Sequence, residues 1–127
     1  VSETPEELTR GGIYFAHVRP QFGQQEHEKE RPVIVVDVHP RFADGLKYVA
    51  VVVTTKDQHT ADGRYLEINN THSPSTGTGL SETSFAALHW VILLDVGRVN
   101  GSLVGYVTPN KLVAIRQGMT WPSGLGP

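Results

Sequence analysis

The chain of 127 residues contains no cysteine, which removes disulfides, thiolate nucleophiles and every cysteine-ligated zinc site together. Long hydrophobic runs are also missing. Purely apolar stretches such as Val33 to Val36 and Val49 to Val53 fall far short of the roughly 20 residues a membrane-spanning helix needs, so no membrane association is expected. No basic, apolar, small-residue succession opens the chain, so neither a secretory signal nor a transit peptide is expected and the cytoplasm is the default location. Positive charge is not in excess either: 11 Lys and Arg stand against 13 Asp and Glu, a formal charge of −2. Three of the acids, Glu3, Glu6 and Glu7, lie in the first seven residues, so the rest of the chain is close to neutral. A nucleic-acid partner would be held locally, by a few arginines with hydrogen bonds and stacking, rather than by a broad cationic field. The six histidines, His17, His27, His39, His59, His72 and His89, are scattered with no i, i+4 pair, and no metal site or cofactor is expected.

With 39% hydrophobic and 19% charged residues, the chain has enough apolar side chain for one globular domain. Residues 1–10 are polar and acidic and read as a flexible arm, or a single turn capped by Thr4 with Pro5 behind it. Clusters of β-branched and aromatic residues then predict strands over Ile13–Val18, Pro32–Val38 and Tyr48–Thr55. The second and third are nearly continuous in apolar residues, which implies burial on both faces. Shorter strands are expected over Tyr65–Ile68, Ser84–Leu88, Trp90–Val96 and Leu103–Val107. Asp44-Gly45, Asp62-Gly63 and Asn100-Gly101 are turn signals, the last suggesting a tight hairpin between Val99 and Leu103. Ser73–Gly79 reads as a loop. Thr108-Pro109 reads as an N-cap and first helical position, with Leu112, Ile115 and Met119 on one face and Gly118 as the stop. The tail over Trp121–Pro127 is rich in glycine and proline and is expected to be flexible. Many short strands and one terminal helix describe a mainly β fold, a small, strongly bent barrel over residues 11–120.

The segment Gly23–Pro32 is a polar, charged loop between two buried strands, where sites concentrate. Glu26 is a proton acceptor and Arg31 offers a planar fork of donors to a phosphate, five residues on. On composition alone the same segment reads first as a solvated loop with casual ion pairs.

Several pieces, taken in order, resemble the MazF/PemK family of bacterial toxins. They are Gly12-Ile13-Tyr14; Glu26 followed by Arg31-Pro32 and Val33-Ile34-Val35-Val36; Val52-Val53-Thr54-Thr55; Gly79-Leu80 and Ser84; and Leu94-Asp95-Val96-Gly97-Arg98-Val99 with Gly101-Ser102-Leu103 behind it. The resemblance covers about residues 11–116. It implies a small SH3-like β-barrel, a homodimer, and a metal-independent endoribonuclease that uses the 2′-hydroxyl of single-stranded RNA as nucleophile. The products would be a 2′,3′-cyclic phosphate and a 5′-hydroxyl, and a cognate antitoxin protein would restrain the enzyme. It implies Glu26, Arg31 and Thr54 as the catalytic set: a base, a cation for the phosphorane and a donor to a non-bridging oxygen. Arginine suits charge stabilisation better than proton donation. For Glu26, burial raises a carboxyl pKa towards a useful base and a neighbouring arginine lowers it, and the sequence leaves both open.

The resemblance also makes His17, Thr55 and His89 candidates for substrate binding. From the residues alone His17 reads as an outward strand residue and His89 as a structural histidine. The chain departs from the family's pattern in three places. Ile92 stands where an arginine is frequent, Ala87 and His89 replace an Arg-x-Asp pair, and Glu28 and Glu30 make the first loop acidic. Trp90 reads as a base-stacking residue, a core filler or a dimer contact, and the dense apolar segment Val91–Leu94 as a dimer surface. Two other functions share the architecture: a non-catalytic CcdB-like toxin that binds gyrase, and an inactive relative that binds RNA or protein.

Overall fold

A computed structural model of the chain describes residues 8–18, 29–39, 47–54, 65–68, 79–80 and 84–121. Among these residues six strands, β1 (Gly12–Val18), β2 (Lys29–His39), β3 (Lys47–Thr54), β4 (Tyr65–Ile68), β5 (Ser84–Asp95) and β6 (Val99–Tyr106), are followed by α1 (Pro109–Gly118). All the strands are antiparallel in one sheet, in the order β4-β5-β3-β2-β1-β6. The protein is thus mainly β with one short C-terminal helix. Among the described residues no helix is long and apolar enough to cross a membrane.

Runs of valine and isoleucine make β2 and β3 the centre of the sheet, because a β-branched side chain fits a pleated surface packed on both sides. Val33 to Val36 and Tyr48 to Val53 are at most 3% exposed. One face gathers Ile13, Ile34, Val36, Val49, Val51, Val53, Ile68 and Leu88 beneath Ile115 and Met119. The other gathers Tyr14, Ala16, Val18, Val33, Val35, Ala50, Val52, Leu94 and Val99, with Trp90 and Ile92 packed against them.

The connection from β5 to β6 shows that the sheet is curled. These strands are four places apart in the order, a separation of roughly 19 Å in a flat sheet. A single 3-10 turn, Val96–Arg98, joins them, and four Cα steps reach at most about 14 Å even when extended. The ends of β5 and β6 are therefore brought together by coiling of the strands between them, as in a small barrel.

Two expected breaks in the chain are bulges. The predicted strands Ser84–Leu88 and Trp90–Val96 are one strand, β5. Between the pairs Val53↔Ala86 and Val51↔Val91, β3 has one residue and β5 has four, so the strand buckles at His89 without ending. The expected hairpin at Asn100-Gly101 is also absent, because both residues lie inside β6. Asn100 pairs with Phe15 of β1, the register shifts between there and Gly105↔Ile13, and Gly101 takes φ 88°. A glycine in the left-handed region accommodates the bulge without steric cost.

The helix starts where its sequence signal places it: Thr108 Oγ1 accepts from the Lys111 N–H at 3.2 Å and Pro109 is the first helical residue. Gly118 does not stop the helix in a left-handed conformation. It is the last helical residue, and a Cβ there would lie 3.0 Å from Leu88 Cδ1, so its role is close packing. Both expected flexible ends are partly docked. Leu8 is buried and its N–H donates to Tyr48 Oη at 3.2 Å, and the Thr9 N–H donates to Tyr14 Oη at 2.9 Å. Trp121 Nε1 donates to the Arg116 carbonyl at 2.9 Å. Residues 1–7 and 122–127, and the turn signals Asp44-Gly45 and Asp62-Gly63, lie outside the described residues.

Candidate active site

In a strand, alternate residues share a face, and antiparallel partners share it with each other. Arg31 pairs with Ala16 across β1–β2, so it stands on the face of Ala16, Val33 and Val35. Thr54 follows Ala50 and Val52 on that same face of β3. The pair Val33↔Val52 fixes the β2–β3 register, and Arg31 and Thr54 lie two residues beyond it on their strands. Both half-buried, they stand on one face at the same end of the sheet.

The row continues across the sheet. Thr54 pairs with Phe85 of β5, Phe85 pairs with Glu67 of β4, and Ala87 pairs with Tyr65. Because Leu66 and Ile68 pack in the core under α1, Tyr65 and Glu67 face the Arg31 side. The buckle in β5 adds two rings. Leu88 and Val91 both turn to the core under α1, which leaves His89 and Trp90, adjacent in sequence, on the opposite face together. The His89 ring meets Tyr65 edge-on, with ring centres 5.2 Å apart and planes at 71°. Arg31 Cζ lies 5.1 Å from the centre of the Trp90 ring, within the range of a cation–π contact.

The structure thus gathers Arg31, Thr54 and His89 on one face. His17 is not among them. It pairs with Glu30, is exposed, and follows Ile13 and Phe15 on the other face. Its surroundings there are polar, with Asn100 Nδ2 donating to Glu30 Oε2 at 2.5 Å. Glu26 and Thr55 lie outside the described residues. Tyr65 and Glu67 were not singled out by sequence reasoning, although the alternation with Leu66 and Ile68 carries the signal that they face away from the core. Ile92 packs against the second core and Ala87 is fully buried, so both positions that depart from the resemblance serve packing. Of the apolar segment Val91–Leu94, Leu94 is buried and only Leu93, at 43%, is largely exposed.

A cation beside a hydroxyl on a half-buried face is suited to an oxyanion: the guanidinium opposes its charge, and the O–H donates to one oxygen. The rings of His89 and Tyr65 are suited to the apolar and stacking surfaces of a base.

Comparison with known proteins agrees with this reading of the fold. The family of PemK-like, MazF-like toxins of type II toxin–antitoxin systems matches residues 9–120. A solved structure of an endoribonuclease in complex with its cognate antitoxin, from a mycobacterial species, is similar with a TM-score of 0.53 and 21% identity, covering 91% of this chain and 100% of that one. At that identity the likeness is one of fold. No curated protein matches.

Proposed function

The chain belongs to the PemK-like, MazF-like toxins of type II toxin–antitoxin systems, and from that premise we propose that it is a metal-independent endoribonuclease cleaving single-stranded RNA at short sequences. The observation that carries this reading is that Arg31 of β2 and Thr54 of β3 share one face at the same end of the sheet. In the reaction, the 2′-oxygen loses its proton to a base and attacks the adjacent phosphorus. The bond from phosphorus to the 5′-oxygen then breaks, and the 5′-oxygen takes up a proton. The products are a 2′,3′-cyclic phosphate and a 5′-hydroxyl. Negative charge accumulates on the non-bridging oxygens in the transition state, and fixed donors aimed there accelerate the step more than they tighten ground-state binding. Arg31 stabilises that charge and Thr54 donates to one oxygen. Glu26 is the base the family resemblance assigns, and His89, beside Tyr65 on the same face, contacts the substrate.

The same reading makes the protein a cytoplasmic homodimer with a cognate antitoxin as its protein partner. The antitoxin would inhibit by occupying the Arg31 face, and the exposed Leu93 is an apolar position available to a second copy.

The test is incubation of the purified protein with a long RNA in EDTA, followed by mapping of the ends. Discrete cuts with 5′-hydroxyl termini support the nuclease. Intact RNA together with inhibition of gyrase replaces it with the CcdB-like function.

A further inference from the structure

Arginine reaches a phosphate through a long side chain with several rotatable bonds, and whatever holds it in place decides how much of its charge is present at the transition state. The strand partner of Arg31 on β1 is the short Ala16. The described aromatic ring that does reach it is Trp90, 5.1 Å from Arg31 Cζ. Trp90 is on this face because β5 buckles at His89; regular alternation from Leu88 would turn residue 90 into the core under α1. Its ring is itself fixed, since it packs against the cluster around Val33, Ala50, Val52 and Leu94. A cation on a ring face is held without the use of an N–H donor, so the contact does not compete with hydrogen bonds to phosphate.

We propose that Trp90 is a positioning residue: its indole holds the Arg31 guanidinium where the scissile phosphate binds and sets the cleavage rate through Arg31 without itself contacting RNA. The inference rests on the reading of Arg31 as the phosphate-binding cation. A cation–π contact of this kind corresponds to a factor of about two to thirty in rate.

The experiment compares W90L and W90F in wild-type and R31K backgrounds, with kcat and KM measured on a short RNA and melting temperatures followed in parallel. In the wild-type background W90L lowers kcat by about twofold to thirtyfold with KM little changed, and W90F loses less. In the R31K background, where no planar guanidinium remains to stack, the W90L effect shrinks to less than about twofold. Equal losses in both backgrounds, equal losses for W90F and W90L, or a rise in KM with kcat spared would each overturn the proposal, the last by showing that Trp90 binds RNA directly. If W90L does not fold, the side-chain proton resonances of Arg31 decide the matter. Ring currents shift them upfield in the wild type and in W90F, and unshifted signals in the wild type overturn the proposal. A wild-type protein that cuts no RNA ends the nuclease reading and this inference together, whereas an active one with an indifferent Trp90 ends the inference alone.

Discussion

Two arginines in this protein each lie 5.1 Å from the centre of a tryptophan ring, Arg31 over Trp90 and Arg116 over Trp121, at opposite ends of the molecule's central strands. Arg116 belongs to the helix and is built into its anchorage. Its Nη1 donates to the Val36 carbonyl at 2.7 Å and to Asp37 Oδ2 at 3.2 Å, Asp37 Oδ1 accepts from Arg10 at 2.9 Å, and Trp121 Nε1 returns to the Arg116 carbonyl. That network sits at the β2 bulge between Val35 and Asp37, where an irregular strand leaves a backbone carbonyl to be satisfied. Arg31 stands instead on the face that also carries Thr54, Tyr65, Glu67 and His89. The same ring contact thus occurs in two settings: at Arg116, with a carbonyl and a carboxylate, it belongs to a structural joint, and at Arg31 it lies on the face of the candidate site.

The comparison is broken most directly by removing each guanidinium. R31A is expected to lower kcat by about a hundredfold to a thousandfold, the effect of removing a donor to a transition-state oxyanion, while the urea midpoint of unfolding stays close to the wild type. Undiminished cutting would withdraw Arg31 from the site. R116A is expected to do the reverse. It loses about 2 kcal/mol of stability, because a charged hydrogen bond to a part-buried carbonyl is removed and Asp37 loses a partner, and its cleavage rate is retained; denaturant unfolding and RNA cutting measured on one preparation separate the two. T54V, which keeps the shape and removes the donor, sharpens the Arg31 side: a loss of about tenfold in kcat is expected, and T54S should recover most of it. The smallest effect belongs to the helix. T108A removes the N-cap bond to Lys111 and should cost about 1 kcal/mol in thermal unfolding without altering cleavage.

Much of the architecture was legible because its signals are local. The β-branched runs of β1, β2 and β3 specify strands wherever they are placed, β4 appears over the expected Tyr65–Ile68, and Thr108-Pro109 carries its own cap and start. Two signals misled for one reason. Asn100-Gly101 and the interruption at His89 both mark places where the backbone departs from regular pleating, and sequence does not tell a turn from a bulge. The decision lies with the partner strand. Gly101 remains in β6 because β1 pairs on both sides of it, and His89 remains in β5 because β3 does the same.

The candidate site divides along the same line. Arg31 and Thr54 were recognisable as a cation and a donor, and their sharing of one face depends on a β2–β3 register that two apolar runs of similar pattern do not reveal. His17 is close to Arg31 along the sheet, yet alternation sends it to the other face. Trp90 was legible as an apolar residue that packs in a core, which it does, and its contact with Arg31 arises from a bulge two strands away.

What this sequence determined by itself was composition and pattern: a cysteine-free chain whose short β-branched runs make a mainly β domain with one capped helix at its end. Those features follow from interactions among residues a few positions apart. The tertiary structure alone decided which side chains meet, because in an antiparallel sheet a shift of one residue, or one bulge, moves every following side chain to the opposite face. That is why Arg31, Thr54, His89 and Trp90 share one face of the sheet while His17 is on the other.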